Sequence, residues 1–155
     1  YKRQVQQVIL NGENVTSLLR TEETGKMASK TSKYAAVRTK LVALQRGLAK
    51  KTDVIMDGRD IGTTVLPDAF AKIYLTASSD ARAKRRYDEL KEKGENRSFD
   101  AIKEDIEKRD YEDMHRAISP LKQADDAVLV DTSDMNIEQV VAVLSKIIDE
   151  KKAGR

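Results

Sequence analysis

Val54-Ile55-Met56-Asp57-Gly58-Arg59-Asp60-Ile61-Gly62 decides how this chain is read. Three consecutive apolar residues run directly into Asp-Gly-Arg-Asp. An apolar run this short, bounded by a turn signal, predicts a strand buried on both faces, as in a parallel sheet. Parallel sheets bind ligands outside the carboxyl ends of their strands. A strand ending in this way presents two carboxylates, a guanidinium and a flexible backbone at that edge. Arg and Asp together there point to a phosphorylated ligand with a metal nearby. The same residues also suit a glycine turn with a local ion pair, and the stretch alone does not separate the two readings.

Downstream, Pro67-Asp68 marks a turn and Lys72-Ile73-Tyr74-Leu75-Thr76 a second short strand. Ser78 or Ser79 caps the next helix, and Gly94 ends it. Ala83, Tyr87 and Leu90 form that helix's apolar stripe. Arg82, Arg85 and Arg86 lie on a different face, where mutual repulsion costs roughly a few tenths of a kcal/mol per pair, which Glu89 relieves only in part. That face is either solvated beside acidic neighbours or an anion site, since arginine offers forked donors to phosphate oxygens. Gly94 to Arg97 is a polar loop, and Ser98 caps a further helix. There Ile102, Ile106, Arg109, Asp113 and Arg116 share one stripe that begins apolar and turns charged. Its first half should pack and its second half should face water or a cleft. Arg before Asp is the poorer order for a helix pair, worth only ~0.3 kcal/mol, so stability is a weak reason for Arg-Asp-Arg on this face. Pro120 should end the helix near Ile118 or Ser119. Ala127-Val128-Leu129-Val130-Asp131 is a third strand, closing in Asp131-Thr132-Ser133. A last helix runs from about Asn136 to Lys151, with a broad core stripe of Ile137, Val140, Val141, Leu144, Ile147 and Ile148.

Upstream, Val5 to Leu10, Asn11-Gly12 and Glu13 to Val15 read as a small hairpin with a type I′ turn. Thr16 to Lys33 reads as irregular or partly helical. Tyr34 to Lys51 is a helix whose Val37, Leu41, Leu44 and Leu48 should face the core. Arg38 lies beside that stripe, as a snorkelling side chain or a ligand contact. Strands alternating with helices argue for an α/β fold with a parallel sheet.

Composition narrows the function. The 155 residues suffice for one domain, and a formal net charge of +3 is low for a general nucleic-acid binder. There is no cysteine, which excludes disulfides, thiolate zinc sites and a cysteine nucleophile. His115 is the sole histidine and makes no metal site. No apolar run approaches the ~20 residues of a membrane span. A cytoplasmic location is expected.

In order and spacing, the Val8 to Val15 hairpin, Asp57-Gly58-Arg59-Asp60-Ile61-Gly62-Thr63, the Ala77-Ser78-Ser79 helix start, Arg82-Ala83-Lys84-Arg85-Arg86, Arg109-Asp110 through Asp113 to Arg116-Ala117, and Asp131-Thr132-Ser133 resemble the bacterial cytidylate kinases. These are nucleoside-monophosphate kinases of the P-loop class. The resemblance covers essentially the whole chain. It implies transfer of the γ-phosphoryl of ATP to CMP or dCMP with Mg²⁺, in a protein that is monomeric when intact and binds neither membrane nor a specific nucleic acid. It places residues 1–38 in the insert that holds the monophosphate and residues 82–97 in the lid, all within one partial kinase domain, 1–155. Ser29, Arg38 and Asp60 match residues that read the cytosine. Arg59 and Arg116 match contacts to the acceptor phosphate, and Arg109 and Asp113 contacts around the ribose. Arg85 and Arg86 would reach the transferring phosphates, with Arg59 also in the catalytic set. Asp57 would meet magnesium through water, and Asp131, Thr132 and Ser133 would lie by the adenine.

One departure is large. The P-loop pattern Gly-x-x-x-x-Gly-Lys-Ser/Thr is absent, and Gly25-Lys26-Met27 does not replace it, since Arg20 stands five residues before Gly25. The family's first strand and P-loop are therefore expected upstream of Tyr1, with the strand lying in the sheet between Val54 and Ile73. Two rivals remain: another small-molecule kinase of the same fold, and a non-catalytic nucleotide- or RNA-binding module, which lacks aromatic-rich strands for base stacking. Without the P-loop's amide cradle for the donor phosphates, the 155-residue chain should be inactive by itself. A coupled ADP-release assay with CMP should read background, and turnover near that of an intact family member would overturn this expectation.

Overall fold

The computed structural model describes residues 7–19 and 21–154. Packing of the backbone divides the chain into two units, one up to Leu44 and one from Gln45 onward.

The first unit opens with the expected hairpin. β1 (Ile9–Leu10) and β2 (Glu13–Asn14) pair antiparallel, Ile9 opposite Asn14 and Leu10 opposite Glu13. Asn11 and Gly12 turn the chain with φ of 52° and 88°, the double positive φ that a type I′ turn needs and that Asn and Gly adopt at low cost. Thr16 Oγ1 accepts from Val8 N at 2.9 Å and donates to Asn14 Oδ1 at 2.6 Å. Val5 and Gln6, also expected in the first strand, lie outside the described residues. α1 (Glu22–Thr31) is a regular helix where irregular or partly helical chain was expected. Thr21 caps it by accepting from Thr24 N at 3.3 Å. Gly25 and Lys26 lie inside this helix, so they form no phosphate-binding loop.

α2 (Ala35–Ala49) agrees with the expected helix to within two residues at each end. Its stripe does not face a core. Val37, Leu41, Leu44 and Leu48 are all exposed, Leu41 at 48%. Close packing between described elements occurs in β1 with β2, β3 with β4 and α3 with α4, and none covers this stripe.

In the second unit the expected strand at Val54-Ile55-Met56 is absent: residues 53–57 join no sheet and Ile55 is 98% exposed. A strand is held by a hydrogen-bond ladder to a neighbour roughly 4.8 Å away. No described strand lies beside this segment, so the apolar run has no ladder, and Ile55 at its centre is uncovered. After Asp60 the chain makes a single wide π turn, Ile61–Val65. Val65 N donates to Asp60 O at 3.2 Å, and Leu66 N to Ile61 O at 2.7 Å.

β3 (Ile73–Thr76) and β4 (Val128–Asp131) form the parallel sheet, pairing Ile73 with Val128 through Thr76 with Asp131. The fold is thus α/β, as expected. α3 (Ser79–Glu92) and α4 (Phe99–His115) start at Ser78 and Ser98, whose hydroxyls accept from Ala81 N and Ala101 N. Ala83, Leu90 and Ile102 form their common core, with Tyr87, Phe99 and Ile106 packed against it. Tyr87 meets Phe99 edge-on at 6.5 Å between centroids. α4 ends at His115, three residues before the expected stop. Arg116 is extended and Ser119 takes a φ of 47°. Arg116 Nε donates to Ser119 O at 2.5 Å, and Leu121 N returns to Asp113 O at 2.8 Å, so a wound loop replaces the last helical turn. α5 (Ile137–Ala153) begins with a reciprocal capping box of Asn136 and Gln139. Its stripe is only half covered, with Ile137 79% exposed and Val141 exposed as well. Two strands are too narrow to bury so broad a face.

Leu90→Ala should therefore destabilise this chain by about 3 kcal/mol, whereas Leu41→Ala should change stability by less than about 0.5 kcal/mol. Urea unfolding of the two variants checks the contrast.

Candidate functional site

The second unit concentrates its chemistry at the C-terminal ends of β3 and β4. A cavity of about 260 Å³ lies there, lined by Tyr74, Leu75, Thr76 and Ala77 from β3 and its end, Arg82 and Arg85 from α3, Asp110 and Met114 from α4, and Leu121 and Thr132. Apolar walls with a few convergent polar groups are usual for a small-molecule site. Arg82 is fixed within it: Nη2 pairs with Asp110 at 2.6 Å and Nε donates to Ala77 O at 3.0 Å.

Beside the cavity, α4 carries a charge cluster centred on Asp113. Asp113 is 6% exposed. Its Oδ2 pairs with Arg59 Nε and lies 3.9 Å from Arg109 Nε, while its Oδ1 lies 3.6 Å from Arg116 Nη1. Leu121, which lines the cavity, donates to the Asp113 carbonyl at 2.8 Å. The charged half of the α4 stripe thus folds inward onto its aspartate, and only Arg109 is largely exposed. Burial of a carboxylate is costly unless charge and hydrogen bonds offset it, and three guanidiniums around one aspartate do so.

Gly58 permits the tight path before this cluster. A Cβ there would stand 2.9 Å from the Ile61 side chain, which folds back over the glycine. Asp60 is buried, and its carbonyl accepts from both Thr64 N and Val65 N. Asp57 is exposed.

The other expected residues are divided. Ser29 sits in α1 and Arg38 in the first turn of α2, both half-buried in the first unit. Arg85 reaches the end of β4, where its Nη2 bonds the Thr132 carbonyl and lies 3.3 Å from Met135 O. Arg86 pairs with Glu89 at 2.8 Å. The Glu89 carboxyl is held below its usual range by the Lys93 hydrogen bond first and Arg86 second. Among the described residues no three His, Asp or Glu side chains form a metal cluster. His115 stacks on Tyr111 at 4.0 Å and sits against the Tyr111 carbonyl. Sequence reasoning missed Asp110, the π turn and Arg46, whose side chain bonds that turn. Arg46 stands in no motif, and the π turn follows from Asp60's carbonyl, not from any residue pattern.

Comparison with known proteins bears on these residues. The family model described as cytidylate kinase matches residues 1–150. The cytidylate kinase of Lactobacillus johnsonii is 52% identical over 147 residues, covering 95% of this chain and 64% of the relative. That of Thermosipho melanesiensis is 47% identical, covering 92% of the chain and 65% of the relative. That of Pseudomonas aeruginosa is 48% identical, covering 90% and 61%. The chain spans under two thirds of the length of these curated relatives. Among the described residues no helix is long and apolar enough to cross a membrane.

The turn after β4 offers a direct check of the geometry. Ser133 donates to Asp131 Oδ1 through both Oγ, at 2.6 Å, and N, at 2.9 Å. The hydroxyl bond first, and the backbone bond second, lower the Asp131 pKa from its ordinary 3.8. A lowered carboxyl pKa adds stability that is present above 3.8 and lost as pH falls through the folded-state value. Ser133→Ala should move the Asp131 titration upward in a carbon-detected NMR pH series, and an unmoved titration would contradict the assignment of cause.

Proposed function

The chain belongs to the cytidylate kinase family, and from that premise we propose that the whole protein transfers the γ-phosphoryl group of ATP to CMP or dCMP. The observation that carries the reading is the convergence of Arg59, Arg109 and Arg116 on one buried aspartate, beside a cavity at the ends of parallel strands. Convergent guanidiniums of this kind suit a phosphate. Phosphoryl transfer asks the protein chiefly for positioning and for charge on the migrating group.

In this reading Arg59 and Arg116 hold the acceptor phosphate with forked donors. Asp113 accepts from the ribose hydroxyls with Arg109 alongside. Ser29, Arg38 and Asp60 read the cytosine edge, with residues 1–38 as the monophosphate-binding insert. Asp131, Thr132 and Ser133 border the adenine. Residues 82–97 form the lid, and Arg85 and Arg86 exchange their partners Thr132 and Glu89 for the transferring phosphates as it moves. Mg²⁺ takes one or two carboxylates together with substrate phosphates and keeps several waters, so the exposed Asp57 fits a water-mediated contact. When bound, the ion neutralises charge on the phosphate oxygens. A P-loop in a segment outside these residues would hold the donor phosphates, and the relatives' greater length leaves room for it. A cytoplasmic monomer belongs to the same proposal.

An acceptor screen on the intact protein tests it. CMP and dCMP should turn over well ahead of UMP and AMP, and equal rates on all four would sink the cytosine assignment. Asp113→Ala should raise the KM for CMP by about tenfold or more, by loss of one charged contact, with less effect on the KM for ATP.

A further inference from the structure

Arg46 stands on α2, outside every motif of the chain, yet its guanidinium is committed to one place. Nε donates to Val65 O at 2.9 Å, and Nη2 donates to Thr64 O at 2.6 Å. Those are the last two carbonyls of the π turn Ile61–Val65. A single helical turn leaves its final carbonyls without an internal donor. The planar fork of arginine matches two successive carbonyls, as an ammonium cannot. The other end of the turn is wound on the Asp60 carbonyl, which accepts from Thr64 N at 2.8 Å and Val65 N at 3.2 Å. The turn is therefore clamped at both ends.

What the turn holds is the acceptor arginine pair. Arg59 directly precedes Asp60 and reaches Asp113. On the other side Thr64 Oγ1 lies 3.4 Å from Ser119 Oγ, Ser119 O accepts from Arg116 Nε at 2.5 Å, and Arg116 Nη1 returns to Asp113. The contacts close a ring. The π turn and Asp113 are its two fixed points, and Arg59 and Arg116 are the two arms between them. π turns and a positive φ at a residue other than glycine, here Ser119, gather where backbone is bent for function.

We propose that Arg46 is a positioning residue for the acceptor-phosphate arginines: by fastening the Thr64 and Val65 carbonyls it fixes the backbone from which Arg59 is aimed. The inference rests on the kinase reading and deepens it. Arg46 touches neither nucleotide, and its effect is confined to the acceptor side. A merely structural strut between α2 and the turn would lower stability and impair both substrates alike.

The test uses the intact protein with Arg46→Ala and Arg46→Lys. Both variants should raise the KM for CMP, about tenfold for the alanine, with the KM for ATP within about twofold and kcat largely kept. Lysine should restore less than half of the loss, because its donors all sit on one nitrogen and lack the planar fork that meets both carbonyls. The Thr64, Val65 and Leu66 amides should exchange faster in both variants. An unchanged KM for CMP, equal rises for CMP and ATP, or full rescue by lysine would overturn the proposal. Should the intact wild type show no turnover of CMP, the kinase reading fails, and affinity for inorganic phosphate then decides on Arg46: weaker binding in Arg46→Ala upholds its role, and equal binding removes it.

Discussion

The Arg59–Asp113 ion pair joins residues 54 positions apart, and the second unit's site depends on it. The segment 53–60 has no ladder of hydrogen bonds to place it. It is located at its C-terminal end, by the charge pair of Arg59 and the π turn that follows Asp60. The energetics explain why a charge pair serves. Asp113 is almost buried, while Arg59 keeps 40% of its side-chain exposure. The pair lies between the exposed case, worth ~0–1 kcal/mol, and the fully buried case, where losing one partner costs ~3–5 kcal/mol. Desolvation falls chiefly on the carboxylate, and it is the carboxylate that receives three cations.

In the proposed kinase reading, this asymmetry suits a site that releases its arginines to a ligand. The Arg109 and Arg116 contacts to Asp113 are 3.9 and 3.6 Å, longer than the ~2.7–2.9 Å of a charge-assisted hydrogen bond. Arg59 is held closer, and its backbone is fixed by the turn that Arg46 fastens. Exchange partners are thus graded along the cluster, from the loose Arg109 to the anchored Arg59.

What was legible in the sequence divides along physical lines. Local chemistry read through: Asn11-Gly12 made its I′ turn, Ser78, Ser98 and Asn136 capped their helices, and the apolar runs at Ile73 and Val128 paired in parallel. Apolar periodicity names a face but not what covers it. Leu41 on α2, Ile55 in the opening stretch and Ile137 on α5 all carry the pattern and all lie open, because no described element lies against them. The α4 stripe shows the converse. Its Arg-Asp-Arg spacing set three charges on one face, but the pairing of the buried Asp113 with Arg59 is a long-range contact that local spacing cannot foresee. Arg46 left no trace at all, since a bond from a helix to two carbonyls has no residue pattern. The family resemblance rested on ordered motifs, and the match over residues 1–150 bears it out.

The three arginines of α3 show how the same residue type takes graded duties on one helix. Arg82 is tied to the Ala77 carbonyl and to the half-buried Asp110, so moving it would break two bonds and leave a partly desolvated carboxylate unpaired. Arg86 is tied only to the exposed Glu89, a surface pair at i,i+3 worth a few tenths of a kcal/mol, roughly. Arg85 stands between, bonded to the Thr132 carbonyl and near Met135 O at the turn that Ser133 and Asp131 hold rigid. The ease of release therefore runs Arg86, then Arg85, then Arg82. The order places a fixed strut at the first turn of α3 and more weakly held cations beyond it. The buried contact of Ala83 and Leu90 with Ile102 holds α3 against α4.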